Sequence, residues 1–194
     1  MMQLRTKLLL VLASVAVTVG LDQWTKQLAI AHLRGAPEEY YFGGILRLTY
    51  TQNTGAFLSL GSDLGPIWRM IMLNLMPALL VVGLLWYIFR EKKLRPLMIV
   101  GLALIVGGGL SNIIDRIAYG YVVDMLHLKV GSLQTGIFNV ADMAIMGGMF
   151  VMIYYAIFVP DSFEEGTDSA DTEPRVGTAV GAPPPEASVS DRTE

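Results

Sequence analysis

The chain has 194 residues, of which 53% are hydrophobic and 16% are charged, and its mean hydropathy is +0.51. It contains no cysteine, which excludes a disulfide scaffold and a thiolate metal site, and it has no basic stripe of the kind that binds nucleic acid. Residues 161–194 hold nine acidic and two basic side chains, whereas residues 1–160 hold eight acidic and twelve basic ones. This distribution predicts an apolar, slightly basic membrane body followed by an acidic tail.

The first apolar segment allows two interpretations. Residues 8–21 are apolar or small and follow Arg5 and Lys7, a pattern that also fits a cleavable signal peptide. No clear small-residue cleavage site follows, however, and helical character continues for about ten more residues. We therefore favour a membrane-spanning helix over residues 8–33, with a signal peptide as the alternative.

Three further segments are long and apolar enough to cross a hydrocarbon core of roughly 30 Å. They cover residues 67–89, 96–115 and 137–159. Four spans place both termini on the same side of the membrane. Basic residues are concentrated before the first span and in the connection 90–95, so the positive-inside rule predicts that both termini are cytoplasmic. The longer connections, 33–66 and 116–136, then lie on the outer side.

The outer connections carry strand patterns. Residues 46–52 alternate between apolar and polar side chains, which predicts an amphipathic strand over the bilayer. A turn follows at residues 53–55, and then a second short apolar run at 56–60. Residues 121–128 predict another strand. The fold class is therefore an all-α membrane protein with four transmembrane helices and a small extracytoplasmic β-sheet.

The acidic tail has a different composition from the rest of the chain. Residues 161–194 contain a proline cluster and scattered acids, and they cannot bury enough apolar surface to fold alone. We expect a membrane body over residues 1–160 and a disordered cytoplasmic tail over 161–194.

Ionisable side chains within the first and third spans gather toward their outer ends. Asp22 and Lys26 are four residues apart on the first helix, the favourable order for an ion pair, and we expect that pair to be structural. Asn112, Asp115 and Arg116 share one helix face at the end of the third span, where Asp115 and Arg116 are expected to pair.

The fourth span holds a single charge, Asp142, about 9 Å below its predicted outer start, and Asn139 lies three residues before it. Asn139 at a helix start also has a simpler interpretation, as a partner for loop backbone groups. A lone buried carboxylate is costly, and Asp124 in the preceding connection is the candidate partner for Asp142.

Two adjacent carboxylates share one proton, because like charges at short distance do not both ionise cheaply. The ionised member of the pair can deprotonate water, and the protonated member can polarise a carbonyl. A pairing of Asp124 with Asp142 would therefore suit peptide hydrolysis without a covalent intermediate.

Other chemistries have weaker support. A triad of Ser111, His127 and Asp124 is conceivable, but the sequence contains no zinc-protease H-E-x-x-H motif. The small residues Ala103, Gly107 and Ser111 recur every four positions, which favours helix packing. A proton-coupled transporter would also use buried Asp and Lys, with charges reaching the membrane midplane. A non-catalytic assembly subunit is a further alternative.

Several blocks of the sequence, in order, resemble the bacterial lipoprotein signal peptidases, also called signal peptidase II. The resemblance covers residues 8–159. The blocks are D-Q-W-T-K at 22–26, Q-N-T-G-A-F at 52–57, G-G-L-S-N-I-I-D-R at 108–116 with G-Y-V-V-D at 120–124, and F-N-V-A-D at 138–142. Ser111 and Met125 depart from the residues common in that family.

The resemblance implies an aspartic endopeptidase of the bacterial inner membrane. It would cleave prolipoproteins immediately before a cysteine that carries a diacylglyceryl group, near the periplasmic face, without a metal or cofactor. Its partners would be these lipidated prolipoproteins and membrane lipids, and we expect a monomer. Asp124 and Asp142 match the catalytic dyad. Five residues match positions that bind or orient the substrate and the dyad: Asn53, Gly55, Asn112, Arg116 and Asn139. Three match structural polar positions: Asp22, Lys26 and Asp115.

Overall fold

The structure is a computed structural model that describes residues 2–55 and 65–159. The described part contains four helical segments long and apolar enough to cross a membrane: Leu4–His32, Ile67–Arg90, Pro96–Tyr119 and Val140–Phe158. The four predicted spans and the fold class are confirmed. The apolar run at 56–60 and the acidic tail at 161–194 lie outside the described residues.

Helix α1 covers Leu4–His32. The second span is composed of α2 (Pro66–Met70), a π-helical turn (Ile71–Leu75) and α3 (Met76–Arg90). Proline occupies the first turn of α2, where the missing N–H costs no helical hydrogen bond. The sequence pattern predicted the span but not the π turn.

The third and fourth spans differ from their predicted bounds. Helix α4 covers Pro96–Tyr119, four residues beyond the predicted end, and stops at Gly120, whose φ of +80° favours glycine. Helix α5 covers Val140–Phe158, three residues later than predicted, because Phe138 and the residue before it belong to a strand.

Helix α4 is the centre of the bundle. Its most apolar stretch is 61% buried, whereas the corresponding stretch of each other span is 17% buried. A Cβ on Gly108 would overlap the carbonyl oxygen of Ala141 in α5, and a Cβ on Gly107 would lie 2.9 Å from Thr18 in α1. The small residues of α4 therefore let two helices approach it closely, as predicted from their spacing.

A four-stranded antiparallel sheet covers one end of the bundle. Its strands are β1 (Glu39–Tyr41), β2 (Leu46–Asn53), β3 (Val122–Val130) and β4 (Leu133–Phe138), and they lie in that order across the sheet. The β2 and β3 strands correspond to the two predicted strands, whereas β1 and β4 were not predicted. Ala29 of α1 and Leu33, the residue that follows this helix, pack against Val123 and Met125 of β3, which joins the sheet to the bundle.

The opposite end of the bundle is closed by a buried lysine. Lys7 in α1 is 5% exposed, and its ammonium donates to the carbonyl oxygens of Ile88 at 2.7 Å and Glu91 at 2.6 Å. These oxygens belong to the C-terminal end of α3, where a positive charge is favourable. This contact ties α1 to the second span.

Candidate active site

Strand β3 carries Asp124 into the space between the sheet and the helices. The residue is 2% exposed. Its Oδ2 accepts a hydrogen bond from Asn53 Nδ2 at 2.9 Å, and its Oδ1 accepts one from Asn139 Nδ2 at 2.7 Å. Both donors are uncharged amides, so they orient the carboxyl group without neutralising it.

The first turn of α5 positions Asp142. Asn139 is the N-cap residue: its Oδ1 accepts from the Asp142 N–H at 2.9 Å, and its own N–H donates to Asp142 Oδ2 at 3.2 Å. This reciprocal arrangement is a capping box. The predicted depth of 9 Å is wrong, because α5 begins at Val140 and Asp142 is its third residue. Asn112 Nδ2 donates to the other carboxylate oxygen at 3.0 Å.

Asn139 contacts both of these aspartates, through its amide to Asp124 and through its backbone N–H to Asp142. It is fully buried, and its amide also donates to Asn112 Oδ1 at 3.2 Å. The structure thus brings together Asp124 and Asp142, which are 18 positions apart in the sequence. The cap function of Asn139 corresponds to the simpler interpretation, in which it is a partner for backbone groups. Its simultaneous contact with Asp124 and Asp142 was not predicted.

The surroundings of Asp124 favour its protonated form. Burial, the largest effect, and the nearby charge of Asp142 raise the pKa of Asp124 to about 6, while the hydrogen bonds from Asn53 and Asn139 oppose that rise. A carboxyl group with this pKa exchanges a proton near neutral pH, which suits general acid–base chemistry.

A separate charged group consists of Asp22, Lys26 and Asp115. The Lys26 ammonium lies 2.6 Å from Asp22 Oδ2 and 2.9 Å from Asp115 Oδ2, and all three side chains are at most 1% exposed. The expected contact between Asp22 and Lys26 is present. The expected pairing of Asp115 with Arg116 is wrong: α4 continues to Tyr119, and Asp115 faces α1 rather than the end of its own helix.

Ser111 belongs to this charged group. Its hydroxyl donates to Asp22 Oδ2 at 2.7 Å and accepts from Gln23 Nε2 at 3.0 Å. The conceivable triad with His127 is therefore not formed, since the hydroxyl is directed to α1. Gln23 also donates to Asp115 Oδ1 at 2.7 Å. Sequence reasoning missed Gln23, although its position between Asp22 and Lys26 is a signal for it.

The charged group around Lys26 also holds the backbone beside Asp124 and beside Asp142. Asp22 Oδ1 accepts from the N–H of Ala141 at 2.8 Å, and Asp115 Oδ2 accepts from the N–H of Val123 at 3.1 Å. Each donor residue immediately precedes Asp142 or Asp124 in the chain. Asp22 and Asp115 therefore anchor the two backbone segments that carry the pair.

Arg116 connects α4 to the turn after β2. Its Nη2 donates to the carbonyl oxygen of Gly55 at 3.0 Å and its Nη1 to that of Asn112 at 3.4 Å. The N–H of Gly55 donates in turn to Asn53 Oδ1 at 3.0 Å. The same arginine thus supports the loop that presents Asn53 to Asp124.

A cleft of about 460 Å³ opens beside the aspartates, between α3, α4 and α5. Asn112, Arg116 and Asp142 form its polar part, and Pro77 and Met146 are among its apolar residues. Within residues 2–55 and 65–159, no group of three or more His, Cys, Asp or Glu side chains could hold a metal ion. The cleft therefore presents apolar side chains next to the carboxyl group of Asp142.

Comparison with known proteins gives one consistent result. The family model described as signal peptidase (SPase) II matches residues 14–158. The lipoprotein signal peptidase of Streptococcus pneumoniae is 34% identical over 139 residues, which covers 72% of this chain and 86% of the relative. That of Chlorobium phaeobacteroides is 39% identical over 155 residues and covers 74% and 93%.

A solved structure described as a bacterial membrane enzyme has a similar fold. It superposes with a TM-score of 0.69 and 22% sequence identity, covering 84% of this chain and 93% of that one. At this identity the likeness concerns the fold, and it agrees with the arrangement of four spans and a small sheet.

Proposed function

The chain belongs to the signal peptidase II family, and from this premise we propose that it is an aspartic endopeptidase for diacylglyceryl-modified prolipoproteins. Membership supports the coarser statement that it is a bacterial membrane peptidase that removes signal peptides from prolipoproteins. The proposal adds the aspartic reaction type, the residues that carry it, and the position of cleavage, immediately before the lipidated cysteine.

The bridging of Asp124 and Asp142 by Asn139 carries the proposal. In the free enzyme the two carboxyl groups hold one proton. The ionised member removes a proton from water as the oxygen attacks the scissile carbonyl carbon, and the protonated member donates a hydrogen bond to the carbonyl oxygen. Proton transfer to the leaving nitrogen then breaks the C–N bond, which gives a new carboxylate and the free amine of cysteine.

The surrounding polar residues have positioning roles in this proposal. The amides of Asn53, Asn112 and Asn139 orient the carboxyl groups while leaving their shared proton in place. Arg116 lines the cleft, and in this proposal it contacts substrate carbonyl groups. Gly55 supplies the carbonyl that holds Arg116 in that position.

The substrate is attached to the bilayer by its acyl chains, so its scissile bond stays at the membrane surface. We propose that the lipid enters laterally through the cleft between α3, α4 and α5, and that the sheet supports the peptide. The basic connection between α3 and α4 is at the end remote from the sheet, which supports cytoplasmic termini and a periplasmic site. A monomeric enzyme stays a prediction.

A proton-coupled transporter would require charges distributed toward the membrane midplane. Among the described residues, Asp22, Lys26, Asp115 and the Asp124–Asp142 pair instead form one continuous network next to the sheet, joined by the hydrogen bond from Lys26 to Asn112 at 3.0 Å. This grouping at one end favours the peptidase.

The proposal is tested with purified protein in detergent and a model prolipoprotein supplied with and without its diacylglyceryl group. We expect cleavage of the lipidated form alone, unaffected by chelators, and a new N-terminal cysteine identified by mass spectrometry. Cleavage at another bond, or equal cleavage of both forms, would contradict the proposed specificity. If folded protein cut neither form, the carboxyl groups would serve another process.

A further inference from the structure

The geometry points to a main-chain-binding subsite beside the dyad, in which Asn74 accepts a hydrogen bond from one peptide N–H of the substrate. The subsite is a pocket of about 190 Å³ whose lining includes Thr54, Asn74, Arg116 and Gly120. This inference rests on the proposed function for the identity of the peptide, and it concerns a residue without a role in that mechanism.

Asn74 is a polar residue within an apolar span. A buried amide in a membrane helix is costly unless it is hydrogen-bonded. The Oδ1 atom of Asn74 is buried, and it has no hydrogen-bond partner among the residues that the structure describes. A ligand that donates a hydrogen bond to such a buried, unpaired acceptor gains more binding free energy than one that donates to an exposed acceptor.

The backbone around Asn74 is also unusual. Residues Ile71–Leu75 form a π turn between α2 and α3, and Asn74 lies inside it. Such turns interrupt the regular spacing of side chains along a helix and occur frequently at functional sites. Here the interruption includes Asn74, which lines the pocket.

Arg116 forms a wall common to this pocket and the cleft that contains Asp142. Its two terminal nitrogens donate to backbone carbonyls, whereas its Nε is buried and lacks a partner within residues 2–55 and 65–159. A substrate segment that reaches the dyad can therefore extend past Arg116 to Asn74 without leaving the protein surface.

The two unsatisfied atoms define the class of ligand. Asn74 offers an acceptor and Arg116 offers a donor, which together complement the N–H and C=O of a peptide main chain. The diacylglyceryl group has ester oxygens and a thioether sulfur, all of them acceptors, so it cannot satisfy Asn74. The pocket therefore selects the peptide part of the substrate rather than its lipid.

The test uses binding, so that it does not depend on catalysis. A lipidated precursor peptide is titrated into the Asp142→Asn protein and into a second protein that also carries Asn74→Leu. The titration is repeated with peptides in which one N–H near the scissile bond is replaced by an ester oxygen, at several positions on each side. We expect one of these replacements to weaken binding roughly fivefold to tenfold when Asn74 is present, and less than about twofold in the protein that carries Asn74→Leu.

Two controls accompany the titration. Leu75→Ala alters a neighbouring side chain that is 50% exposed, and it should preserve the ester effect. Asn74→Ala repeats the measurement if the leucine variant does not fold. An ester effect of equal size with and without Asn74, or none at any position, would overturn the subsite, as would a peptide that does not bind.

Cleavage by the protein with both aspartates intact separates this inference from the proposed function. Normal cleavage without any dependence on Asn74 removes the subsite and leaves the peptidase. Binding that depends on Asn74 without cleavage supports the subsite and contradicts the peptidase chemistry.

Discussion

Two pairs of aspartates in this protein, of which Asp142 alone is only partly buried, have opposite electrostatic surroundings. Asp22 and Asp115 lie on either side of the Lys26 ammonium, at 2.6 and 2.9 Å. Asp124 and Asp142 receive hydrogen bonds from asparagine amides and from a backbone N–H. An ammonium stabilises both neighbouring carboxylates as ions, whereas amides orient carboxyl groups and leave their mutual repulsion in place.

This difference separates a structural role from a chemical one. Asp115 and Asp22, the pair around Lys26, accept hydrogen bonds from the backbone N–H groups of Val123 and Ala141. In the proposed function, Asp124 and Asp142 share a proton that can be exchanged with a substrate. The single lysine serves both groups, because it also donates to Asn112, which in turn donates to Asp142.

Neutralising Asp124 or Asp142 should have the largest effect on the cleavage rate. Asp124→Asn or Asp142→Asn should reduce cleavage by at least roughly a thousandfold, since each removes a group that transfers protons. The folded protein should remain in the membrane, because asparagine keeps one acceptor oxygen. Initial rates and size-exclusion profiles measure the two properties. Glu39→Gln, at an exposed acid, is the matched control, and substantial turnover in either variant would refute the dyad.

Removing the central charge of the other group should primarily affect stability. Lys26→Met leaves Asp22 and Asp115 buried beside each other, which costs about 3–5 kcal/mol. Thermal unfolding in detergent measures the loss. The triple variant Asp22→Asn/Lys26→Met/Asp115→Asn should regain most of it, because no uncompensated charge remains. A Lys26→Met protein as stable as the parent would show that this group is not a buried ion cluster.

The pH dependence of cleavage distinguishes the two groups further. Asp124 has a pKa raised to about 6, so it is protonated below that pH and ionised above it. We expect kcat/KM to fall as the pH rises through about 6, because the shared proton is lost. Asn53→Ala removes a hydrogen bond that favours the ionised form, so the pKa of Asp124 should rise further. The alkaline limb of the profile should then move to higher pH; a shift to lower pH would contradict this account.

The smallest effect is expected at the edge of the charged group. Ser111→Ala removes one of the hydrogen bonds to Asp22, which keeps its contacts with Lys26 and Ala141. The loss should be about 1 kcal/mol in the free energy of unfolding, with the cleavage rate unchanged within about twofold. Denaturation and initial rates check both values. A large loss of activity would give Ser111 a chemical role.

The helical part of the fold was predictable because a span of roughly 20 apolar residues has few alternatives in a bilayer. Strand β2 was predictable from alternation, and residues 121–128 also predicted the strand that became β3. Strand β1 has only three residues, all exposed, and thus has no alternating pattern to detect. The start of β4 is also exposed, and its last two residues are apolar enough to join the predicted fourth span.

The sequence by itself determined the number of spans, the i,i+4 contact of Asp22 with Lys26, and the candidate pair Asp124 and Asp142, since these depend on composition, local spacing and motifs. Tertiary structure alone decided that Asp115 pairs with Lys26, that Asn139 bridges the two aspartates, and that Asp22 holds the N–H of Ala141. These contacts join different helices and strands. They depend on the rotation and depth of each helix, which the close packing on α4 determines and local sequence does not.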